Sequence, residues 1–77
     1  MTIGFVLIKA APAFEHEVYN KISKALQIIE LYPLFGEYDL IVKIEAENFE
    51  KLGEIIIDKI RSVKGVIDTK TLTGARF

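Results

Sequence analysis

The amino-acid sequence predicts an α+β domain in which four antiparallel strands form one sheet and two helices cover one of its faces. Four segments have apolar residues at alternating or near-continuous positions, and two others have them at every third or fourth position. These segments follow one another in the order β-α-β-β-α-β. With 77 residues and no cysteine, the chain has the size of a single domain, residues 1–77, without a disulfide to stabilise it.

The first strand and the first helix are predicted within residues 3–26. Ile3 to Ile8 is apolar on both faces, which is typical of a central strand covered on both sides. Pro12 suits the first turn of a helix, where no backbone donor is needed. The apolar residues that follow form one helical stripe: Phe14, Val18, Ile22, Ala25 and Leu26.

A hairpin is predicted next. Ile28 to Phe35 forms its first strand, in which Pro33 indicates an edge position because proline lacks a backbone donor. Tyr38 to Glu45 alternates apolar and polar residues and forms the second strand. Only Gly36 and Glu37 separate the two, which predicts a two-residue type II′ turn with glycine at the position of positive φ.

The second helix is predicted to begin after Asn48, whose side chain can accept a hydrogen bond from the first turn. Gly53 is expected to permit close packing, and Gly65 is expected to end the helix because glycine tolerates positive φ. The predicted buried stripe comprises Phe49, Leu52, Ile56, Ile60 and Val63.

Val66 to Leu72 is the predicted fourth strand, with Thr69 and Thr71 on the same face as Ile67. Two crossovers with a hairpin between them give the ferredoxin-like βαββαβ fold, a four-stranded antiparallel sheet with both helices on one face. The other face stays uncovered and is apolar on the first and third strands. We therefore expect it to pack against a second copy, giving a dimeric α/β sandwich.

Composition narrows the possible functions. The formal net charge is −1, from ten basic and eleven acidic residues without a basic cluster, so direct binding of nucleic acid is not expected. The hydrophobic fraction of 51% is high for so short a chain and favours a homo-oligomer. The apolar segment near residue 3 is too short to cross a bilayer and has no basic leader, which predicts a cytoplasmic protein without a membrane partner.

Few residues suggest catalysis. His16 is the single histidine, and its position between two glutamates on the polar side of the first helix predicts a solvated residue rather than a general base. No phosphate-binding loop, metal-ligand spacing or cofactor motif is present. Asp39 is unusual because aspartate is disfavoured inside strands. Two interpretations of Asp39 remain open: a hydrogen bond that stabilises the turn, or a contact with a ligand.

The segment GEYD at residues 36–39, followed by LIVKIEAENFEKL and IRSVKGVIDTKTL, resembles the effector-binding (RAM) domain of the Lrp/AsnC family, the feast/famine regulators of amino-acid metabolism. This resemblance implies dimers formed face to face through their sheets, often a ring of four dimers (an octamer), and an amino-acid site where dimers meet. The site residues that it implies are Gly36, Glu37, Tyr38, Asp39, Thr69 and Thr71. A carboxylate such as Asp39 can bind an ammonium group, while backbone N–H groups and threonine hydroxyls can bind a carboxylate.

Two departures from the family pattern affect what is expected. Phe35 stands where the family usually has a small hydroxyl residue, and it could narrow the site. No helix-turn-helix precedes the first strand, so the sequence predicts a stand-alone domain without enzymatic activity that assembles with itself or with full-length regulators. The alternatives are a small dimeric α+β barrel enzyme, which would need polar side chains between helices and sheet, and a structural oligomer that has lost its ligand.

Overall fold

The computed structural model describes residues 1–74 of the chain. Its elements are β1 (Thr2–Ala10), α1 (Glu15–Ser23), β2 (Ile28–Pro33), β3 (Leu40–Ala46), α2 (Phe49–Ile55), a π-helical continuation of α2 (Ile56–Arg61, the π turn) and β4 (Val66–Thr73). The strands form one sheet in the order β2-β3-β1-β4, and every neighbouring pair is antiparallel. The predicted ferredoxin-like fold is confirmed.

β1 is a central strand, as its sequence predicts. It pairs with β3 on one side and with β4 on the other. Val6 and Ile8 are fully buried beneath the helices, whereas Phe5 and Leu7 lie on the opposite, open face of the sheet. β1 is apolar on both faces. The helices cover one face, and the other face is open and available for packing.

The core lies between the sheet and the two helices, and within residues 1–74 every buried side chain is apolar. Leu52 on α2 packs so close to β1 that a Cβ atom added to Gly4 would lie 2.8 Å from its Cδ2 atom. A Cβ atom added to Gly53 would meet nothing within 4 Å. The prediction that Gly53 permits close packing is therefore wrong, and Gly4 has that role.

The first helix is shorter than predicted. Pro12 lies in a turn before the helix, in which the N–H of Phe14 donates to the carbonyl of Ala11 at 2.9 Å. Ala13 has a φ of +73°, so the backbone turns sharply there and helical geometry begins only at Glu15. α1 ends at Ser23, and Leu26 is 96% exposed instead of joining the apolar stripe.

The second helix begins as predicted, because the Asn48 side-chain oxygen accepts the N–H of Lys51 at 2.8 Å. Phe49 was expected in the core but is 68% exposed. The π turn was not predicted. It ends before Gly65, whose φ of +101° allows the chain to enter β4.

The predicted two-residue hairpin turn is wrong. β2 ends at Pro33 and β3 begins at Leu40, so residues 34–39 form a six-residue connection, the 34–39 loop. The N–H of Leu34 donates to the carbonyl of Asp39 at 2.8 Å and closes this loop. Pro33 is the last residue of β2 and pairs with Leu40, and β2 is an edge strand, as the proline predicts. Gly36 does adopt positive φ, at +119°.

β4 is irregular at its start. Its register with β1 shifts between Lys9 and Ala10, so that Asp68 pairs with Lys9 while Val66 pairs with Ala10. Ile67 is the unpaired residue of this irregularity, and it lines the same surface pocket as Thr69 and Thr71. Neither helix within residues 1–74 has the length and hydropathy needed to span a bilayer.

Candidate functional site

The 34–39 loop contains four of the predicted site residues and lies at one end of the sheet. Gly36 and Glu37 are exposed, whereas Tyr38 and Asp39 are partly buried. Phe35, the residue that departs from the family pattern, is fully exposed. The loop therefore presents an aromatic ring and backbone N–H groups to the outside, and its last two residues contact the body of the domain.

Asp39 joins the loop to β1. Its Oδ2 atom accepts the N–H of Ala10 at 2.8 Å, and its own N–H donates to the carbonyl of Ile8 at 2.9 Å. Ile8 of β1 and Leu40 of β3 form the last pair at this end of the two strands. The Asp39 carboxylate accepts the N–H of Ala10, which lies on β1 beyond that pair. Hydrogen bonds to charged groups contribute about 1.5–3 kcal/mol, so Asp39 stabilises this end of the sheet. Oδ1 accepts no hydrogen bond from residues 1–74, which leaves one carboxylate oxygen for a ligand.

A pocket of about 540 Å³ lies between α1 and the 34–39 loop, and we call it the loop pocket. Asp39 and Phe35 line it from the loop, and His16 and Tyr19 line it from α1. His16 is exposed, as predicted, but its place beside Asp39 was not. The spacing of three between His16 and Tyr19 signals a shared helix face. This spacing does not indicate that the 34–39 loop would lie across the pocket from that helix face.

Thr69 and Thr71 line a different pocket of about 410 Å³, which we call the polar pocket. Thr69 pairs with Ile8 and Thr71 with Val6, so both threonines lie on the face that carries the helices. They stay accessible because β4 is an edge strand at the margin of the helical layer. Arg61 and Asp68 complete the charged lining of this pocket.

The two groups of predicted site residues lie at the same end of the sheet but not in one pocket. Ile8 accepts the N–H of Asp39 on one side and is the cross-strand neighbour of Thr69 on the other. Two strand spacings of about 4.8 Å each separate the backbones of Asp39 and Thr69, roughly 10 Å in all. Within one chain the predicted site residues therefore line two separate pockets at the same end of the sheet.

The open face of the sheet carries exposed apolar side chains. Phe5, Ile41 and Leu72 are exposed or partly exposed on it. At the β2 side, Lys43 lies 3.4 Å from Glu30, and the Tyr32 hydroxyl donates to Glu30 at 2.6 Å.

The hydrogen bond from Tyr32 and the proximity of Lys43 lower the pKa of Glu30, and the same hydrogen bond raises the pKa of Tyr32. The open face thus has an apolar centre formed by β1 and β3, with Glu30 and Lys43 toward β2 and Lys70, the cross-strand partner of Leu7, toward β4. No group of three or more histidine, aspartate or glutamate side chains within residues 1–74 is placed to hold a metal ion.

Residues 3–73 match the family model described as the Lrp/AsnC ligand binding domain. The chain belongs to this family. The HTH-type transcriptional regulator FL11 of Pyrococcus furiosus is 37% identical over 70 residues, which is 91% of this chain and 46% of FL11. This Lrp/AsnC domain spans about half the length of the curated relatives it matches.

Solved structures share the fold of the chain. TTHA0845 from Thermus thermophilus is 30% identical, with a TM-score of 0.92 over 100% of this chain and 96% of that chain. The transcriptional regulator NMB0573 of Neisseria meningitidis, solved as a complex with L-Met, has a TM-score of 0.85 over 97% of this chain and 50% of that chain. The two sequences are only 17% identical, so this likeness shows a shared fold.

Arg61 is a residue of the polar pocket that the sequence did not identify as a site residue. In the sequence it is a cation at the C-terminal end of a helix. A cation there interacts favourably with the helix dipole, so its presence does not indicate a binding site. Only the π turn, which the residue pattern does not reveal, brings it to the pocket that contains Thr69 and Thr71.

Proposed function

We propose that this Lrp/AsnC domain binds an amino acid between two copies of itself and that binding changes how the copies assemble. The observation that carries the proposal is the position of the two half-sites, Asp39 on one side of Ile8 and Thr69 on the other. Their chemistry is complementary to a zwitterion, because a carboxylate binds ammonium and hydroxyl groups bind carboxylate.

The separation of the half-sites supports a site completed by a second copy. The ammonium and carboxylate groups of an amino acid are attached to the same carbon atom, and hydrogen bonds extend only about 3 Å. Within one chain Asp39 and Thr69 line different pockets, the loop pocket and the polar pocket, on opposite sides of β1. The 34–39 loop of one copy placed against β4 of another would contact both ends of the ligand.

The neighbours support an amino acid as the ligand class. NMB0573, which shares the fold, was solved with L-Met. The curated relatives are HTH-type transcriptional regulators. We propose that the domain acts on transcription by assembling with itself or with full-length regulators, because a net charge of −1 without a basic cluster offers no binding surface for DNA.

The enzyme alternative receives less support. A dimeric α+β barrel enzyme would use the space between helices and sheet, and within residues 1–74 this space is filled by buried apolar side chains. The charged and hydroxyl groups lie instead in surface pockets, an arrangement that favours binding over catalysis.

A thermal-shift screen against the twenty amino acids tests the proposed function. A ligand that binds only the folded state at a free concentration of 100 times Kd adds about 2.7 kcal/mol to the free energy of unfolding, which raises Tm clearly. We expect at least one amino acid to do so. If none raises Tm, the domain is a structural oligomer instead.

Asp39→Asn and Thr71→Val are the variants that test the site. Both should reduce the Tm increase produced by the amino acid, and Asp39→Asn should reduce it more because it removes a charge. Glu47→Gln is the matched control, since it makes the same change of charge at the opposite end of β3. An amino-acid response that survives Asp39→Asn would place the ligand elsewhere.

The oligomer is tested separately on the open face. Ile41→Lys introduces a charge into the apolar centre of this face, and we expect it to convert a dimer into a monomer at micromolar concentration. Leu26→Lys is the control, because Leu26 is exposed outside the open face. Sedimentation or light scattering that finds a monomeric wild type would contradict face-to-face dimerisation.

A further inference from the structure

The polar pocket continues into a second cavity of different character. This cavity, which we call the apolar groove, has a volume of about 240 Å³ and runs along α2 toward the end of β4. Ile56, Arg61 and Thr71 line both the polar pocket and the apolar groove. A bound molecule that contacts Thr71 therefore has charged and hydroxyl groups on one side of it and aliphatic and aromatic side chains on the other.

The π turn is what places Arg61 at this boundary. In an α-helix, positions five residues apart are rotated by about 140° from one another, so Ile56 and Arg61 would face different directions. A π-helix bonds residue i to residue i+5 and has a wider turn, which brings positions five apart nearer to one face. Ile56 is buried here, and Arg61 lines the same two cavities.

Arg61 is available to bind an anion. The ion pairs formed within residues 1–74 are those of Lys43 with Glu30 and of Lys51 with Glu54, and Arg61 takes part in neither. Its guanidinium group presents paired N–H donors that match the two oxygens of a carboxylate. The other charged group of the pocket, Asp68, already accepts the N–H of Thr69 at 3.0 Å.

The apolar groove has room and unburied apolar surface. Phe49 and Ile57 lie four residues to either side of Gly53 and are 68% and 58% exposed. A Cβ atom on Gly53 would meet nothing within 4 Å, so the groove is open between them. An apolar side chain placed over Gly53 would remove Phe49 and Ile57 from water, which is favourable in proportion to the area buried.

We propose that an amino acid bound beside Thr69 and Thr71 places its α-carboxylate against Arg61 and its side chain in the apolar groove. The ligand class is then the amino acids with aliphatic or aromatic side chains. This inference rests on the proposed function, in which Asp39 of the neighbouring copy binds the ammonium group, and it adds the class of side chain that the site accepts. Arg61 and Gly53 become the residues that set carboxylate binding and side-chain selectivity.

Thermal shifts with six probes test this inference on the full chain: L-leucine, L-methionine, L-alanine, L-lysine, L-glutamate and L-leucinamide. We expect leucine or methionine to raise Tm and lysine and glutamate to have little effect. Leucinamide, which lacks the carboxylate, should bind at least tenfold more weakly than leucine. Arg61→Gln should weaken the binding of leucine to the level seen with leucinamide. Lys59 is a neighbouring exposed cation, and Lys59→Gln should leave the binding of leucine unchanged.

Gly53→Leu tests the groove without disturbing the core. Gly53 does not have positive φ and its side-chain direction is open, so the variant should fold. It should abolish the response to leucine while leaving the response to alanine. Equal responses to leucine and lysine, or an unchanged leucine response in Arg61→Gln, would overturn the inference but leave the proposed function intact. If no amino acid raises the Tm of the wild type, both the inference and the proposed function are overturned.

Discussion

Gly36 in the 34–39 loop and Gly65 before β4 both have positive φ, at +119° and +101°, but their surroundings differ. A Cβ atom on Gly65 would lie 2.9 Å from the Cβ atom of Phe14 and 3.0 Å from Val18. A Cβ atom on Gly36 would meet nothing within 4 Å. Gly65 thus serves both backbone conformation and core packing, whereas Gly36 serves conformation alone. The 34–39 loop keeps its outer surface free for a ligand or a second copy.

Gly65→Ala should have the largest effect on stability. It combines the strain of an alanine at positive φ with a collision against a Cβ atom that is fixed to its backbone. We expect the free energy of unfolding to fall by about 3 kcal/mol, measured by chemical denaturation. Gly53→Ala is the control and should stabilise slightly, because alanine is the better helix former. A loss below about 1 kcal/mol for Gly65→Ala would mean that Phe14 moves away freely.

Asp39→Ala should have the second largest effect. It removes the acceptor for the Ala10 N–H and leaves that donor partly buried. The expected loss is about 2 kcal/mol, and Asp39→Asn should lose less because its amide oxygen can still accept. The two variants, measured without ligand, show how far the 34–39 loop contributes to the fold. If Asp39→Ala has wild-type stability, the carboxylate is free in solution and available entirely to a ligand.

Gly36→Ala should cost less than Gly65→Ala. Its only penalty is the strain of positive φ, about 1 kcal/mol, since no neighbouring atom obstructs the added methyl group. The difference between the two alanine variants then measures the collision with Phe14. Equal losses would remove the distinction between the two turns.

Phe35→Ser should have the smallest effect on stability, within about 0.5 kcal/mol, because the ring is fully exposed. Phe14→Ser, in the packed turn, should be clearly destabilising and gives the contrast. The amino-acid response of Phe35→Ser also tests whether Phe35 narrows the site. Tighter binding in this variant would show that it does, and unchanged binding would show that it does not.

The fold could be predicted from sequence because its signals are local and repeated. Each of these signals can be recognised from a few neighbouring residues, and they agree with one another: the apolar run of β1, the alternation in β3, the cap at Asn48 and the glycine at position 65. The hairpin could not be predicted in the same way. The hydrogen bond from Ala10 to Asp39 joins residues 29 positions apart, and no pattern near Gly36 signals it.

The candidate site could be predicted only in part for the same reason. GEYD identifies the 34–39 loop, and the threonines of β4 follow from the family resemblance. The exposure of Phe49 and the π turn have no counterpart in the residue pattern, which places both residue 49 and residues 56–61 on an ordinary amphipathic helix. Arg61 is therefore an ordinary helix-terminal cation in the sequence and a pocket residue in the structure.

The central position of β1 has a consequence for biosynthesis. β1 pairs only with residues 40–46 and 66–73, so during synthesis one edge of β1 has no strand partner until residues 40–46 are made and the other has none until residues 66–73 follow. Translation proceeds at about 5–20 residues per second, which leaves β1 unpaired for on the order of seconds. Contacts so distant in sequence also slow folding itself. An apolar strand with unpaired edges favours aggregation, so we expect overexpression to show this interval first, as insoluble protein.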